Sequence, residues 1–300
     1  MNSKLINIAK KAVITIILAF SVFVPIFAAE FPTAPHEYAE FAKVWDYVAA
    51  NDVDVIELHY NEKPDLDLFG KYKYKLQIMS EKYRYVHPED FNYLRLSDYS
   101  FIYSDDCEGF TLHLEFDDLC EMVKREFRTK AYEKAQEFYN EISSELSSEM
   151  TQKKRVKVFC EAIEEKVTYL NDGTDFCHTA YSALVHGYAV CDGYTSVLNM
   201  LLRLDGIECE GRLGDAGGLH EWTYAKLDGE WMNVDATWFD SDDESPNTKY
   251  AGLTDAEISV THKADLTYKN LAENKILLVP AIVYYQEQYI NDPPIMNEKD

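Results

Sequence analysis

The chain reads as an α+β protein: helices packed on an antiparallel sheet, preceded by a smaller α/β module. Three observations predict this. Residues 154–167 and 191–204 carry apolar side chains at helical spacing. Two strand-like runs, 220–227 and 230–235, flank Asp228-Gly229, a strong signal for a tight hairpin. Upstream, Phe110, Leu112, Leu114 and Phe116 alternate with Thr111, His113 and Glu115, the period-two pattern of a half-buried strand. With 300 residues, 47% of them apolar, the chain can bury a real core rather than remain disordered.

The first 29 residues stand apart. Lys4, Lys10 and Lys11 precede an uncharged apolar run from Ala12 to Phe27, followed by Ala28 and Ala29. That order is expected of a secretory signal peptide. The run is short for a membrane span, which needs roughly 20 residues, and Pro25 interrupts it. The expected location is therefore extracellular, with an uncleaved membrane anchor as the runner-up and no stable insertion after cleavage.

Residues 30–116 form the smaller module. Tyr38, Phe41, Trp45 and Val48 recur at helical spacing, and Val53 to Tyr60 is rich in β-branched residues. A tyrosine- and lysine-rich helix is expected to end near Tyr83, followed by short strands near Tyr93–Leu96 and Tyr99–Tyr103. Residues 117–150 are charged and read as a long helical connector. The chemistry-bearing domain is placed at 151–275, and residues 276–300 form a tail.

Charge and cysteines narrow the function classes. The chain has 29 basic and 53 acidic residues, and the leader contributes lysines but no acids. Such a surface repels nucleic acid and anionic lipid, so neither is an expected partner. Six cysteines, at 107, 120, 160, 177, 191 and 209, form no CxxC pair, and no metal site or cofactor is expected. Cys160 shares a helical apolar stripe with Val156, Phe159, Ile163 and Val167 and reads as a core residue. A Cys107–Cys120 bridge has no further support in the sequence. The acidic run Asp240–Glu244 lacks the spacing of a calcium loop. His178 and His262 show no evident partners.

Cys191 opens the helical pattern Val197, Leu198, Leu201, Leu202, Leu204, which Gly206 closes. A thiol at a helix start is expected to be acidified by the dipole, and the free N–H groups there can hold an oxyanion. An ordinary thiol still needs a base partner at neutral pH. His220 follows the Gly214–Gly218 loop and begins the hairpin. If Leu227 pairs with Glu230, Trp222 stands opposite Asp235. His220 and Asp235 are then diagonal neighbours on one face, roughly 7–8 Å apart at the backbone.

The run Val190-Cys191-Asp192-Gly193-Tyr194, then Asp205-Gly206-Ile207, His220-Glu221-Trp222, Gly229-Glu230-Trp231 and Val234-Asp235-Ala236-Thr237-Trp238 resembles the transglutaminase-like superfamily. The resemblance covers about residues 150–263. It implies a papain-like core in which Cys191 is the nucleophile, His220 the base and Asp235 its orienter. It also implies a second oxyanion donor upstream of the nucleophile, for which Tyr181 and Tyr188 are candidates. Trp222 is a candidate for the groove wall, though core packing is the commoner role of such a residue. Thr223 departs from the family, which often carries asparagine there; by the hairpin register it faces away from the catalytic side. The implied activity is attack of Cys191 on a carboxamide or peptide carbonyl of a protein, with transfer to an amine or to water. The competing reading is a non-catalytic binding protein that keeps the fold, with the tyrosine-rich module as its working part.

Overall fold

A computed structural model describes residues 38–51, 53–60, 84–105, 108–240 and 248–265. The leader, the helix expected before Tyr83, most of the acidic run after Asp240 and the C-terminal tail lie outside the described residues.

Alternation builds the first sheet. Helix α1 (Tyr38–Asn51) buries Val44, Trp45, Val48 and Ala49. Strand β1 (Val55–Tyr60) buries every second residue, Ile56, Leu58 and Tyr60. It pairs antiparallel with β3 (Phe110–Asp118), which pairs in turn with β2 (Leu94–Tyr103), in the order β1-β3-β2. The two short strands expected near residues 93–103 are a single strand, irregular only between Leu96 and Asp98. Trp45 packs edge-on against Phe116, with ring centroids 5.4 Å apart.

The charged stretch after residue 117 is not helical throughout. β3 continues to Asp118, and helix α3 occupies Arg125–Ile142. Ala131, Ala135, Phe138 and Ile142 form its buried stripe, at the spacing one helical face allows. Helix α4 (Gln152–Lys166) starts where the Thr151 hydroxyl accepts from the Lys154 N–H. It buries Val156, Phe159, Cys160 and Ile163, so Cys160 is a core thiol. β4 (Thr168–Tyr169) then pairs in parallel with β5 (Tyr188–Ala189), which leads directly into helix α5 (Cys191–Leu204). Gly206, with φ 75°, closes that helix, and the Ile207 N–H reaches back to the Leu202 carbonyl at 2.8 Å.

The second sheet has the order β10-β6-β7-β8-β9 and is antiparallel. Its strands are β6 (Cys209–Asp215), β7 (Leu219–Leu227), β8 (Glu230–Val234), β9 (Ala251–Leu253) and β10 (Lys263–Ala264). Asp228 and Gly229 both take positive φ, 53° and 91°, as a type I′ turn requires. That turn sets Leu227 opposite Glu230 and Thr223 opposite Val234. Short helices α6 (Ala236–Phe239) and α7 (Asp255–Ile258) follow β8 and β9.

Residues 84–93 tie the two sheets together. Short helix α2 (Pro88–Phe91), fully buried, packs against α5. Asn199 of α5 donates to Glu89 at 2.9 Å, and Arg203 pairs with Glu89 and with Asp90. Arg128 and Tyr132 of α3 also reach Asp90, at 2.7 and 2.9 Å. The Tyr93 hydroxyl accepts from the Tyr181 N–H, and Asn92 donates to the His178 carbonyl at 2.8 Å. The helix that begins with Cys191 is thus gripped from both sides.

Candidate active site

Helix α5 is buried over most of its length, from Gly193 to Leu202. Its start is seated tightly: a Cβ on Gly193 would lie 2.6 Å from that of Ala189 and 3.2 Å from the carbonyls of Cys177 and Thr179. Only glycine lets the first turn approach β5 so closely. Thr195, one turn on, donates to the Cys191 carbonyl and to the Glu221 carbonyl, at 2.9 and 3.1 Å. The second bond docks the helix start on β7, beside His220.

His220 Nε2 lies 2.8 Å from Asp235 Oδ2. Asp235 is fully buried and has two further duties. Its Oδ1 accepts from the Thr237 and Trp238 N–H groups at 3.0 and 3.1 Å, capping α6. Its Oδ2 also meets Nε2 of His262 at 2.9 Å. Burial alone would raise the Asp235 carboxyl. Hydrogen bonds from His220 and His262, then the charge of His220 and the Trp238 N–H, overcome it and hold the group below its ordinary value. The carboxylate therefore stays charged and fixes the His220 ring by Nε2, leaving Nδ1 as the nitrogen for a thiol.

Burial raises the Cys191 thiol, and the carboxylates of Asp192 and Glu221 raise it further. The N–H groups of Glu221 and Asp192 offset this only in part. The expectation of a thiol acidified by its helix start is therefore corrected: desolvation and two neighbouring acids outweigh the first-turn N–H groups.

Glu221, next to His220, is buried. Burial, then Asp192 and Glu89, raise its carboxyl well above the usual range against the pull of Arg84. Among the described residues its Oε1 has no hydrogen-bond partner. Asp192 pairs with His178 Nδ1 at 2.8 Å, a bond that holds His178 above its ordinary value despite burial. Tyr169 is half exposed on β4. Burial raises its phenol, and the neighbouring Cys191 and Asp192 raise it further.

Residues 122–236 match the family model described as the transglutaminase-like superfamily. Over those residues the chain is similar to that superfamily. Among solved structures, a TGase is similar at 14% identity and TM-score 0.36, covering 66% of this chain and 55% of its own length. A proposed cysteine protease from Cytophaga hutchinsonii is similar at 13% identity and TM-score 0.32, covering 57% of this chain and 75% of that one. No curated protein matches.

In this transglutaminase-like fold His220 and Asp235 are in contact, Cys191 stands at the start of α5 next to Glu221, and Trp222 stacks on His220 at 6.2 Å. Trp222 does not wall a groove: it is fully buried, donates to Asn233 Oδ1 at 2.9 Å, and packs edge-on against His262. The Tyr188 hydroxyl is engaged with Asp172 at 3.0 Å. Tyr181 stacks on Phe127 at 4.6 Å, within an aromatic group that includes Phe176 and His186. Thr223 donates to Asn199 of α5 at 2.9 Å. His178 and His262, expected to lack partners, both have them. His262 lies 27 residues from Asp235; it ends the Tyr250–His262 segment that resembles the family, but no spacing ties it to Asp235.

Proposed function

We propose that the protein is a thiol enzyme that opens amide or peptide bonds of proteins through a thioester on Cys191. The observation that carries this reading is the Nε2-bound His220, held by a charged, buried Asp235 beside a helix-start thiol. The step is as follows. His220 Nδ1 takes the Cys191 proton as sulfur bonds to the acyl carbon, whose oxygen gains the negative charge. First-turn N–H groups, which have no partner within the helix, face that oxygen. The C–N bond then breaks, His220 returns the proton to the leaving amine, and a thioester remains. An amine acceptor completes transamidation, and water completes hydrolysis. Asp235 keeps His220 in its working tautomer throughout.

Because the thiol is raised rather than acidified, the reading relies on proton transfer to His220 and not on a standing thiolate. The leader-like residues 1–29 support action outside the cell, where protein substrates are the fitting class.

The test needs no knowledge of the substrate. The full chain is mixed with p-nitrophenyl acetate, and nitrophenolate release is followed together with intact mass. A burst equal to the enzyme concentration with one acetyl group on Cys191, absent in Cys191→Ala and slowed in His220→Ala, is the expected result. No burst and no adduct would leave a non-catalytic protein that keeps the fold.

A further inference from the structure

We propose that His262 is a positioning residue of the proposed active site: by donating to Asp235 it restrains the carboxylate and limits how strongly Asp235 draws a proton onto His220. The proposal rests on the catalytic reading above.

The geometry is specific. His262 is buried, and its Nε2 lies 2.9 Å from the same Oδ2 that His220 Nε2 reaches at 2.8 Å. An ionised carboxylate only accepts, so both nitrogens must carry protons. On its other side, His262 Nδ1 lies 2.8 Å from Thr261 Oγ1. A neutral His262 with its proton on Nε2 satisfies every contact, since the Thr261 hydroxyl then donates to Nδ1. The ring cannot swing away. It is walled by Trp222, Trp238 and Tyr250, with centroids 5.0, 4.7 and 6.0 Å distant.

Four donors therefore share one carboxylate: two imidazoles on Oδ2 and two backbone N–H groups on Oδ1. Each donor that stabilises the charged carboxylate leaves it less able to bind a proton. A weaker Asp235 stabilises imidazolium at His220 less, which keeps His220 available as a neutral base. Other titratable groups near Asp235 and His262 are Cys160 from α4, Tyr169 from β4 and Tyr250 before β9. Cys191 and Glu221 lie beyond, at the thiol. None of these donates to Oδ2, so the second imidazole is the group that sets how Oδ2 is shared.

The test is the pH profile of iodoacetamide alkylation at Cys191, read by mass spectrometry on the full chain. The acid limb reports deprotonation of the Cys191–His220 pair, as a macroscopic value of the pair. His262→Phe fills the ring's space without a donor, and the acid limb is expected to move up by about one pH unit. His262→Gln retains an N–H donor and is expected to return most of that shift. In wild type, histidine nitrogen NMR should show His262 protonated at Nε2 near neutral pH, a readout that requires no variant to fold. An unmoved acid limb in a folded His262→Phe, or a His262 protonated only at Nδ1, overturns the proposal. If His220→Ala leaves the profile unchanged, the catalytic reading falls and the proposal falls with it.

Discussion

Glu89→Gln tests whether residues 84–93 are a working part of the core. Glu89 is fully buried between α2 and α5 and takes the charge of Arg203 and the amide of Asn199. Burial by itself would raise its carboxyl; Arg203, then His87 and Asn199, bring it down to about 2. Glutamine keeps the shape and the Asn199 contact but removes the charge. Arg203 retains Asp90 at 3.2 Å. Breaking a buried pair costs about 3–5 kcal/mol, and the surviving Asp90 places this change near the lower end, about 3 kcal/mol. Against a total stability of about 5–15 kcal/mol that is a large fraction. With a urea slope of about 2–3 kcal/mol/M, the unfolding midpoint should fall by roughly 1 M or more. The sign with pH follows from the lowered carboxyl. The ion pair contributes fully above the unfolded value, near 4.5, and is lost as pH falls from there toward 2. The gap between wild type and Glu89→Gln should therefore be constant above about pH 5 and shrink below it. A gap under about 1 kcal/mol, or one that does not narrow in acid, would refute the reasoning.

Asp235→Asn should slow acylation of Cys191 by roughly 10³–10⁴-fold in the nitrophenyl acetate burst while the chain stays folded. If the amide oxygen keeps the α6 cap, its NH₂ must face two Nε2–H groups, and His220 is driven to the wrong tautomer. Gly214→Ala should cost about 1–3 kcal/mol in thermal unfolding. Its Cβ would meet the Lys263 carbonyl at 2.3 Å and Trp222 Cη2 at 2.8 Å, pushing β10 away next to His262. Asp205→Ala should cost about 3 kcal/mol in urea unfolding, since it strips Arg155 and the Tyr139 hydroxyl of their shared acceptor at the end of α5. Its alkylation profile at Cys191 should be unchanged, because that contact lies at the far end of the helix.

The parts of the site that could be read from the sequence are those held by local geometry. The Asp228-Gly229 turn fixes a two-residue loop, and the loop fixes the register that brings His220 and Asp235 together. Likewise the apolar spacing after Cys191 announces a buried helix with the thiol at its start. What could not be read depends on chain segments distant in sequence. His262 reaches Asp235 only because β10 pairs with β6 at Asp215 and Gly214. Glu89 and Asn92 reach α5 and His178 across more than 80 residues, which no periodicity encodes. The surroundings of the Cys191 thiol are hidden from the sequence for a related reason. A helix start is visible in the sequence, but the burial of Glu221 and the desolvation of the sulfur are tertiary facts, and they carry the larger effect.

One topological detail explains why the spacing between the hairpin residues matters. β8 stops pairing at Val234, and Asp235 leaves the sheet as the cap of α6. Had the strand continued, it would have covered β7 at Glu221, where the α5 start docks through Thr195. The exit at Asp235 thus does two things at once. It bares the strand edge that receives the start of α5, and it turns the carboxylate inward to His220. Because Oδ1 is committed to the α6 N–H groups, Oδ2 cannot rotate away from the imidazoles without uncapping that helix. The orientation of the base is therefore tied to the folding of α6, and a change that frays that short helix should weaken the site even though it touches neither Cys191 nor His220.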